Sequence, residues 1–223
     1  MTGPTTGRAA TLVLARHGET VWHAENRYAG TSDIDLTPNG TLQAERLAGW
    51  SRSRGITTVI SSPVRRAVET AEPAALAVGT PLTVVDDLRE VGFGVAEGHT
   101  LSELDPAIVA RFRADPVAYP FPAAEPPSLG AQRCAQALRG IAARHPGGAV
   151  LVVAHNTVLR LGLCVLLGVP TAHYRQVFPR LDNAAVTEIA VPLDGRRTPA
   201  SLLSLNVPVT DRPGRLRGLA VPA

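Results

Sequence analysis

Several short pieces of this chain carry side chains suited to holding and attacking a doubly charged anion. The apolar run Leu12-Val13-Leu14-Ala15 stops at Arg16-His17-Gly18, which puts a guanidinium and an imidazole at the end of a buried β-strand. A second, more apolar run, Ala149 to Ala154, stops at His155. Ser62-Pro63-Val64-Arg65-Arg66 sets guanidinium groups on the first turn of a helix, beside N–H groups that already favour an anion. Glu90 follows an extended segment and supplies a carboxyl group. Planar guanidinium forks match the oxygens of a phosphoryl group. The set therefore offers a nucleophile, an anion clamp and a proton donor. A lone Arg-His-Gly would read only as a strand and a polar turn, so the weight rests on the partners.

Bringing these residues together requires a parallel sheet, because open α/β folds gather their ligand sites at the carboxyl ends of the strands. The pattern predicts one. Thr11 to Ala15 reads as a strand, and Thr37-Pro38 caps a helix that runs toward Gly55. Thr58 to Ile60 is a short strand, and Ser62-Pro63 repeats the cap-plus-proline signal before a helix that ends at Gly79. After an extended piece from Pro81 to Leu88, the stretch from His99 to Pro127 is irregular and proline-rich, a partly helical insertion over the sheet edge. Helices over Ser128 to Arg144 and Val158 to Leu167 flank the central strand Ala149 to Ala154, and Ala184 to Val191 and Ser201 to Leu205 read as final strands. The expected fold class is α/β, a three-layer α/β/α sandwich with a mostly parallel central sheet and a partly helical lid insertion at about 91–130. A single domain spans 11–206, with residues 1–10 and 207–223 loosely ordered.

Composition narrows the chemistry. The 22 basic residues are all arginine, so a P-loop lysine and Schiff-base or pyridoxal-phosphate chemistry are excluded. The bias fits a GC-rich bacterial genome. A net charge of +3 over 223 residues, with no basic stripe, gives no sign of nucleic-acid binding. Met1 to Ala10 lacks a signal-peptide core and no run matches a membrane span, so a soluble, cytoplasmic protein is expected. Cys134 and Cys164 belong to no metal or disulfide pattern and read as buried thiols. No metal site is indicated, and no H-E-x-x-H or G-x-S-x-G motif is present. Asp33-Ile34-Asp35-Leu36-Thr37 fits the nucleophile motif of magnesium-dependent dehalogenase-type phosphatases but follows no apolar strand, and Cys134 to Arg139 is one residue short of a cysteine-phosphatase loop.

Arg16-His17-Gly18-Glu19-Thr20, Asn26-Arg27 to Gly30, Ser62 to Ala71, Leu88-Arg89-Glu90 with Glu97-Gly98, and Ala154-His155 follow one another in the order seen in the histidine phosphatase superfamily, which includes cofactor-dependent phosphoglycerate mutases. The chain resembles that family over roughly residues 11 to 191. The resemblance implies that His17 forms a phosphohistidine, that Arg16, Arg66 and His155 hold the phosphoryl oxygens, and that Glu90 is acid and then base. Arg66 is preferred to Arg65 because it directly precedes Ala67, and Glu19 is then support near the site. Gly18, as the turn that lets phosphate approach, and His23, Arg27, Tyr28 and Asn156 are the expected substrate-binding residues, with no cofactor and no metal required.

Departures from the family pattern mark what to look for in the structure. His23 stands where the family commonly has asparagine, and its charge would vary near neutral pH. Asn156 replaces a common glycine, Ala96 an aromatic, and the family's Gly-Glu-Ser is broken into Glu125-Pro126-Pro127-Ser128. Phe112, Arg113 and Tyr119 of the lid are expected to face the substrate, while His99, His145 and His173 read as surface residues. The expected activity is metal-independent hydrolysis of small-molecule phosphate monoesters, of sugar phosphate or phosphoglycerate type. The short run from Glu90 to Leu101 disfavours the alternative, a phosphoglycerate mutase, and the intact site residues disfavour a silent phospho-ligand-binding module. A homodimer is the assembly to test.

Overall fold

The computed structural model describes residues 9–194 and 198–209. Six strands form one sheet in the order β3-β2-β4-β1-β5-β6, with β1 at Ala10–Arg16, β2 at Thr58–Ser61, β3 at Leu82–Val84, β4 at Ala149–Ala154, β5 at Val186–Val191 and β6 at Ser201–Val207. The first four are mutually parallel; β5 runs antiparallel to β1 and β6 antiparallel to β5. The sheet is thus mostly parallel, as expected, with an antiparallel pair added at one edge. The sequence pattern had left the direction of β5 and β6 open.

Alternation along the strands sorts two cores. Leu12 and Leu14 of β1 and Val150, Val152 and Ala154 of β4 pack with helices α4 (Pro127–Arg144) and α5 (Asn156–Leu167). Val13 and Ala15, with Leu151 and Val153, face the opposite layer, α1 (Pro38–Ser53) and α2 (Arg65–Val78). Burial on both faces explains why β4 reads as an unbroken apolar run. Cys134 and Cys164 lie in α4 and α5, fully buried and unpaired. The two helices approach closely enough that a Cβ on Gly162 would sit 2.7 Å from Cys134 Sγ. No helix among the described residues is long and apolar enough to cross a membrane.

The caps explain where the helices begin and end, with one correction. Thr37 caps α1 through its side chain, which accepts from Gly40 N, and Pro38 occupies the first turn. Gly79 and Gly168 close α2 and α5 in the left-handed conformation, at φ 75° and 72°. Ser62, expected to cap α2, does not: the cap is Val64, the helix begins at Arg65, and the Ser62 hydroxyl turns to His155 instead. At the chain ends, Ala10 opens β1 and Val207 closes β6, so both belong to strands and not to loose termini. Residues 1–8 and 210–223, also expected to be loosely ordered, lie outside the described residues.

The lid contains α3 (Pro106–Ala114) and two 3₁₀ turns at Gly94–Ala96 and Leu101–Glu103. It is anchored by rings. Phe112 stacks on Phe121 with centroids 3.8 Å apart, and Tyr28 meets Phe93, Phe112 and Phe121 edge-on. A further short helix, α6 (Tyr174–Val177), follows α5 and carried no clear sequence signal.

The turn after β1 depends on contact between two glycines. A Cβ on Gly18 would lie 2.7 Å from Gly40 O, and one on Gly40 would lie 2.1 Å from Glu19 O. Neither neighbour is a flexible side chain, so α1 seats its first turn directly on the Gly18-Glu19 backbone. Gly40→Ala is expected to cost about 2 kcal/mol or more through overpacking. Urea unfolding measures that loss, and a variant as stable as wild type would remove the constraint.

Candidate active site

The ladder itself aligns the two histidines. Arg16 of β1 pairs with Ala154 of β4, and His17 N extends the pairing by donating to Ala154 O at 2.9 Å. His17 and His155 therefore leave adjacent parallel strands side by side, with ring centroids 5.2 Å apart. Both are buried. Burial comes first in lowering the pKa of each well below 6.5, followed for His17 by the neighbouring His155, Arg66 and Arg16 and for His155 by Arg66 and Arg16. Both rings are neutral at physiological pH. His17 Nδ1 is 2.7 Å from Gly18 O, a carbonyl that can only accept, so Nδ1 carries the proton. The lone pair of Nε2 faces Arg66, whose Nε donates to it at 3.2 Å.

Arg66, in the first turn of α2, is wholly buried. Its other nitrogens donate to Ser32 O at 3.0 Å, Ala29 O at 3.0 Å and Gly30 O at 2.8 Å, so one guanidinium binds the 29–32 loop to the imidazole. Arg65 points outward to Asp35 at 2.5 Å and is half-exposed, which agrees with the preference for Arg66. Arg16 donates through NH1 to Leu181 O at 3.0 Å and through NH2 to His23 Nε2 at 2.5 Å. Burial holds its pKa down to about 10, which still leaves it charged at neutral pH. Arg16 Nε and His155 Nδ1 are buried with no hydrogen-bond partner. Such orphaned polar atoms are costly unless a ligand satisfies them.

Glu90 sits at the start of α5. Its carboxylate accepts from Thr157 N at 3.0 Å and Val158 N at 2.7 Å, and also from its own neighbour Val91 N at 3.0 Å. These bonds and the arginine charges favour the ionised form, yet burial outweighs them and pushes the pKa above 4.5. Arg133 of α4 holds the approach to Glu90: NH1 donates to Asp87 O and Arg89 O at 2.7 and 2.9 Å, while its fork pairs with Glu125 at 3.0 and 2.8 Å. Glu125, in the segment that breaks the family pattern, therefore braces this approach from α4.

A cavity of about 440 Å³ is lined by Arg16, His17, Glu90 and Asn156, with Arg66 and His155 behind the lining. Of the expected substrate-binding residues, His23, Arg27, Tyr28 and Asn156 line it; Gly18 does not. The Gly18 N–H donates to Thr70 Oγ1 at 2.9 Å, and the close contact with Gly40 by itself requires glycine at this position. His23 also differs from expectation. Burial, followed by the Arg16 charge, holds its pKa down to about 4, so it is neutral across the physiological range and does not titrate near pH 7. Phe112 is enclosed in the ring cluster, Tyr119 packs under Arg111 in a separate cleft, and Arg113 lines a third; none of the three reaches this cavity. His99 and His173 are exposed and His145 half-buried.

Sequence reasoning missed several members. Ser62 Oγ lies 2.7 Å from His155 Nε2 and accepts from Val64 N at 3.3 Å, so Nε2 is the partnered nitrogen of that ring and Nδ1 the unpartnered one. Asn183 Nδ2 donates to His17 O at 2.8 Å, from a turn placed there only because β5 pairs with β1. Trp22, Thr100, Leu101 and Ser102 complete the outer wall. Asp33 and Asp35 are exposed and form no site. The Cys134 thiol is pushed up to about 12 by burial, the reverse of an activated nucleophile. Among the described residues, no three His, Cys, Asp or Glu side chains are grouped to share a metal ion.

Comparison with known proteins agrees with this geometry. The family model of the histidine phosphatase superfamily, branch 1, matches residues 12–201. The chain is 32% identical to a putative phosphoserine phosphatase of Hydrogenobacter thermophilus over 80% of this chain and 88% of that one. It is 33% identical to a probable phosphoglycerate mutase of Yersinia pestis over 80% and 83%. Among solved structures, a mycobacterial glucosyl-3-phosphoglycerate phosphatase superposes with TM-score 0.81 at 26% identity, covering 90% of this chain and all of that one. The chain belongs to the histidine phosphatase superfamily.

Proposed function

We propose that this phosphoric monoester hydrolase cleaves small-molecule phosphate esters, of sugar phosphate or phosphoglycerate type, through a phosphohistidine at His17 and without a metal ion. The observation that carries the reading is the neutral, buried His17, whose Nδ1–H is tied to Gly18 O so that Nε2 is unprotonated and faces the Arg66 guanidinium. A nucleophile needs an unprotonated atom, and this hydrogen bond leaves the lone pair on the reacting nitrogen, where only the long Arg66 N–H contact has to be given up for attack.

In the first step His17 Nε2 attacks phosphorus, the ester P–O bond breaks, and Glu90 gives its proton to the departing oxygen. Water then attacks the phosphoryl group, passes a proton to the Glu90 carboxylate, and the P–N bond breaks to return neutral His17 and inorganic phosphate. Arg16 and Arg66 supply charge throughout, and the unpartnered Arg16 Nε is a donor available to a phosphoryl oxygen, with His155 Nδ1 the second unpartnered polar atom at the site. With Glu90 protonated and the histidines neutral, the two guanidinium charges oppose the two charges of a phosphoryl dianion. The short path from Glu90 through the 3₁₀ turn at Gly94–Ala96 to Glu97, which binds Gly30 N at 2.9 Å, supports hydrolysis over mutase action. Two buried, unpaired cysteines support a cytoplasmic setting.

His17→Ala is expected to abolish phosphate release from p-nitrophenyl phosphate in EDTA, while wild type yields an acid-labile phosphoenzyme. Full activity in that variant, or loss of wild-type activity in EDTA, overturns the mechanism. Interconversion of 2- and 3-phosphoglycerate is assayed beside it and is expected to be negligible.

The proton role of Glu90 has its own signature. Glu90→Gln is expected to slow alkyl phosphates by about 10²–10⁴-fold, the range for a lost general acid, and p-nitrophenyl phosphate far less. An equal loss on both esters removes the acid role.

The pH profile follows from the two shifts. Burial lowers the pKa of His17 and raises that of Glu90, which moves both groups toward the forms that the first step uses, neutral His17 and protonated Glu90. For an alkyl ester, kcat is therefore expected to fall as pH rises through the raised pKa of Glu90. That limb is expected to be weak for p-nitrophenyl phosphate, and a flat alkaline profile for the alkyl ester contradicts it.

A further inference from the structure

Above the phosphoryl-handling groups, Arg27 is the one cation among the described residues of the cavity wall, and it is already matched. Its Nε donates to Glu25 Oε2 at 2.6 Å, and NH1 donates to Glu103 Oε2 at 2.9 Å and Gly98 O at 2.9 Å. Glu103 is held in place from its own side, because Oε2 also accepts from Thr100 N at 2.7 Å in the capping box of the Leu101–Glu103 turn. One guanidinium and two carboxylates leave this cluster with a net charge of −1.

The arginines nearby do not redress the balance. Arg160 donates to the carbonyls of Phe178 and Pro179, Arg175 binds the Tyr174 hydroxyl with its guanidinium over Phe112, and Arg180 pairs with Asp182; none lines the cavity. The chain has no lysine to add. What the wall does present is neutral: the hydroxyls of Thr100 and Ser102, 2.8 Å apart, the amide of Asn26, and the rings of Trp22 and Tyr28. These groups pair with hydroxyls and cover apolar ring or chain faces. A carboxylate on that wall would meet Arg27 alone, a guanidinium already matched by Glu25 and Glu103, which stand behind it and outside the lining and leave the cluster negative.

We infer that the leaving group selected by this cavity is an uncharged alcohol bearing hydroxyls, of glycerol or sugar type, and that the Glu25–Arg27–Glu103 cluster discriminates against esters carrying a carboxylate beside the phosphate. The inference rests on the phosphatase reading above and narrows its substrate class. The cluster acts on selectivity through charge. It takes no part in bond making.

A matched pair of substrates tests it. Glycerol 3-phosphate and 3-phosphoglycerate have the same length and differ in a CH₂OH group against a carboxylate. Wild-type kcat/KM is expected to favour glycerol 3-phosphate by about tenfold or more at low ionic strength, the scale of an unmatched charge across a partly wet cavity. The preference is expected to shrink as salt is raised, which a purely steric wall would not produce. In the Glu25→Gln/Glu103→Gln double variant, Arg27 is released and the ratio is expected to move at least about fivefold toward 3-phosphoglycerate. Equal or better use of 3-phosphoglycerate by wild type, or an unchanged ratio in the double variant, overturns the inference. p-Nitrophenyl phosphate separates the two levels. If it is not hydrolysed, the phosphatase reading fails and this one with it. If it is hydrolysed while neither member of the pair turns over, their competitive inhibition constants decide, tighter binding of the glycerol ester supporting the inference and tighter binding of the carboxylate ester overturning it.

Discussion

The buried guanidinium of Arg66 is the interaction on which the rest of the site depends. A full charge at zero exposure is tolerated only when its donors are used, and here three nitrogens reach three loop carbonyls and an imidazole. The consequence is geometric as much as energetic. The loop at 29–32, helix α2 and the end of β1 cannot move independently, because one rigid planar group is bonded to all three. Removing it would leave several buried carbonyls unpaired at once, so its structural and chemical contributions are inseparable in a simple deletion.

Burial sets the protonation states in the same way. The His17, His155 and Glu90 side chains are all driven toward their neutral forms by loss of water, and in each case desolvation outranks the neighbouring charges. For Glu90 the contest is close to hand: three backbone N–H groups, two of them at a helix N-terminus, pull toward the anion and do not prevail. A carboxyl group poised between these opposing effects is suited to alternate between the two protonation states within one cycle. Arg133, by holding the backbone at Asp87 and Arg89 just ahead of Glu90, keeps that group against the helix end.

What the sequence made legible was local or repeated. Strands that end in histidine, helices that begin with Thr37-Pro38 and end at Gly79 or Gly168, and an apolar run at β4 all follow from short-range pattern, and the parallel neighbours β1 and β4 follow from two strands sharing one kind of ending. Ser62 was misread because cap-plus-proline is a local signal, whereas its hydroxyl answers to His155, which is 93 residues away. Gly18 shows the same limit. Its lack of a side chain fits an anion turn, but the constraint is Gly40, visible only once α1 is seated. Asn183 depended on the antiparallel placement of β5, which periodicity does not encode. Phe112 of the lid was expected in the cavity for its chemistry and instead joins the ring cluster that holds the lid, because burying it against Phe121 removes more apolar surface from water than lining a polar opening would.

The wall segments are joined through the backbone: Tyr28 N donates to His99 O, Gly98 N donates to Tyr28 O, and Tyr28 and Glu97 form a short parallel bridge. Those bonds do not depend on which side chains project into the cavity. The residues that line the cavity from 20–28 and 100–102 can therefore be exchanged over generations while the stitched frame and the guanidinium-held centre beneath it stay in place. Such a division lets one ancestral scaffold be retuned to new metabolites by point changes alone, without inventing a new way to break a phosphate ester.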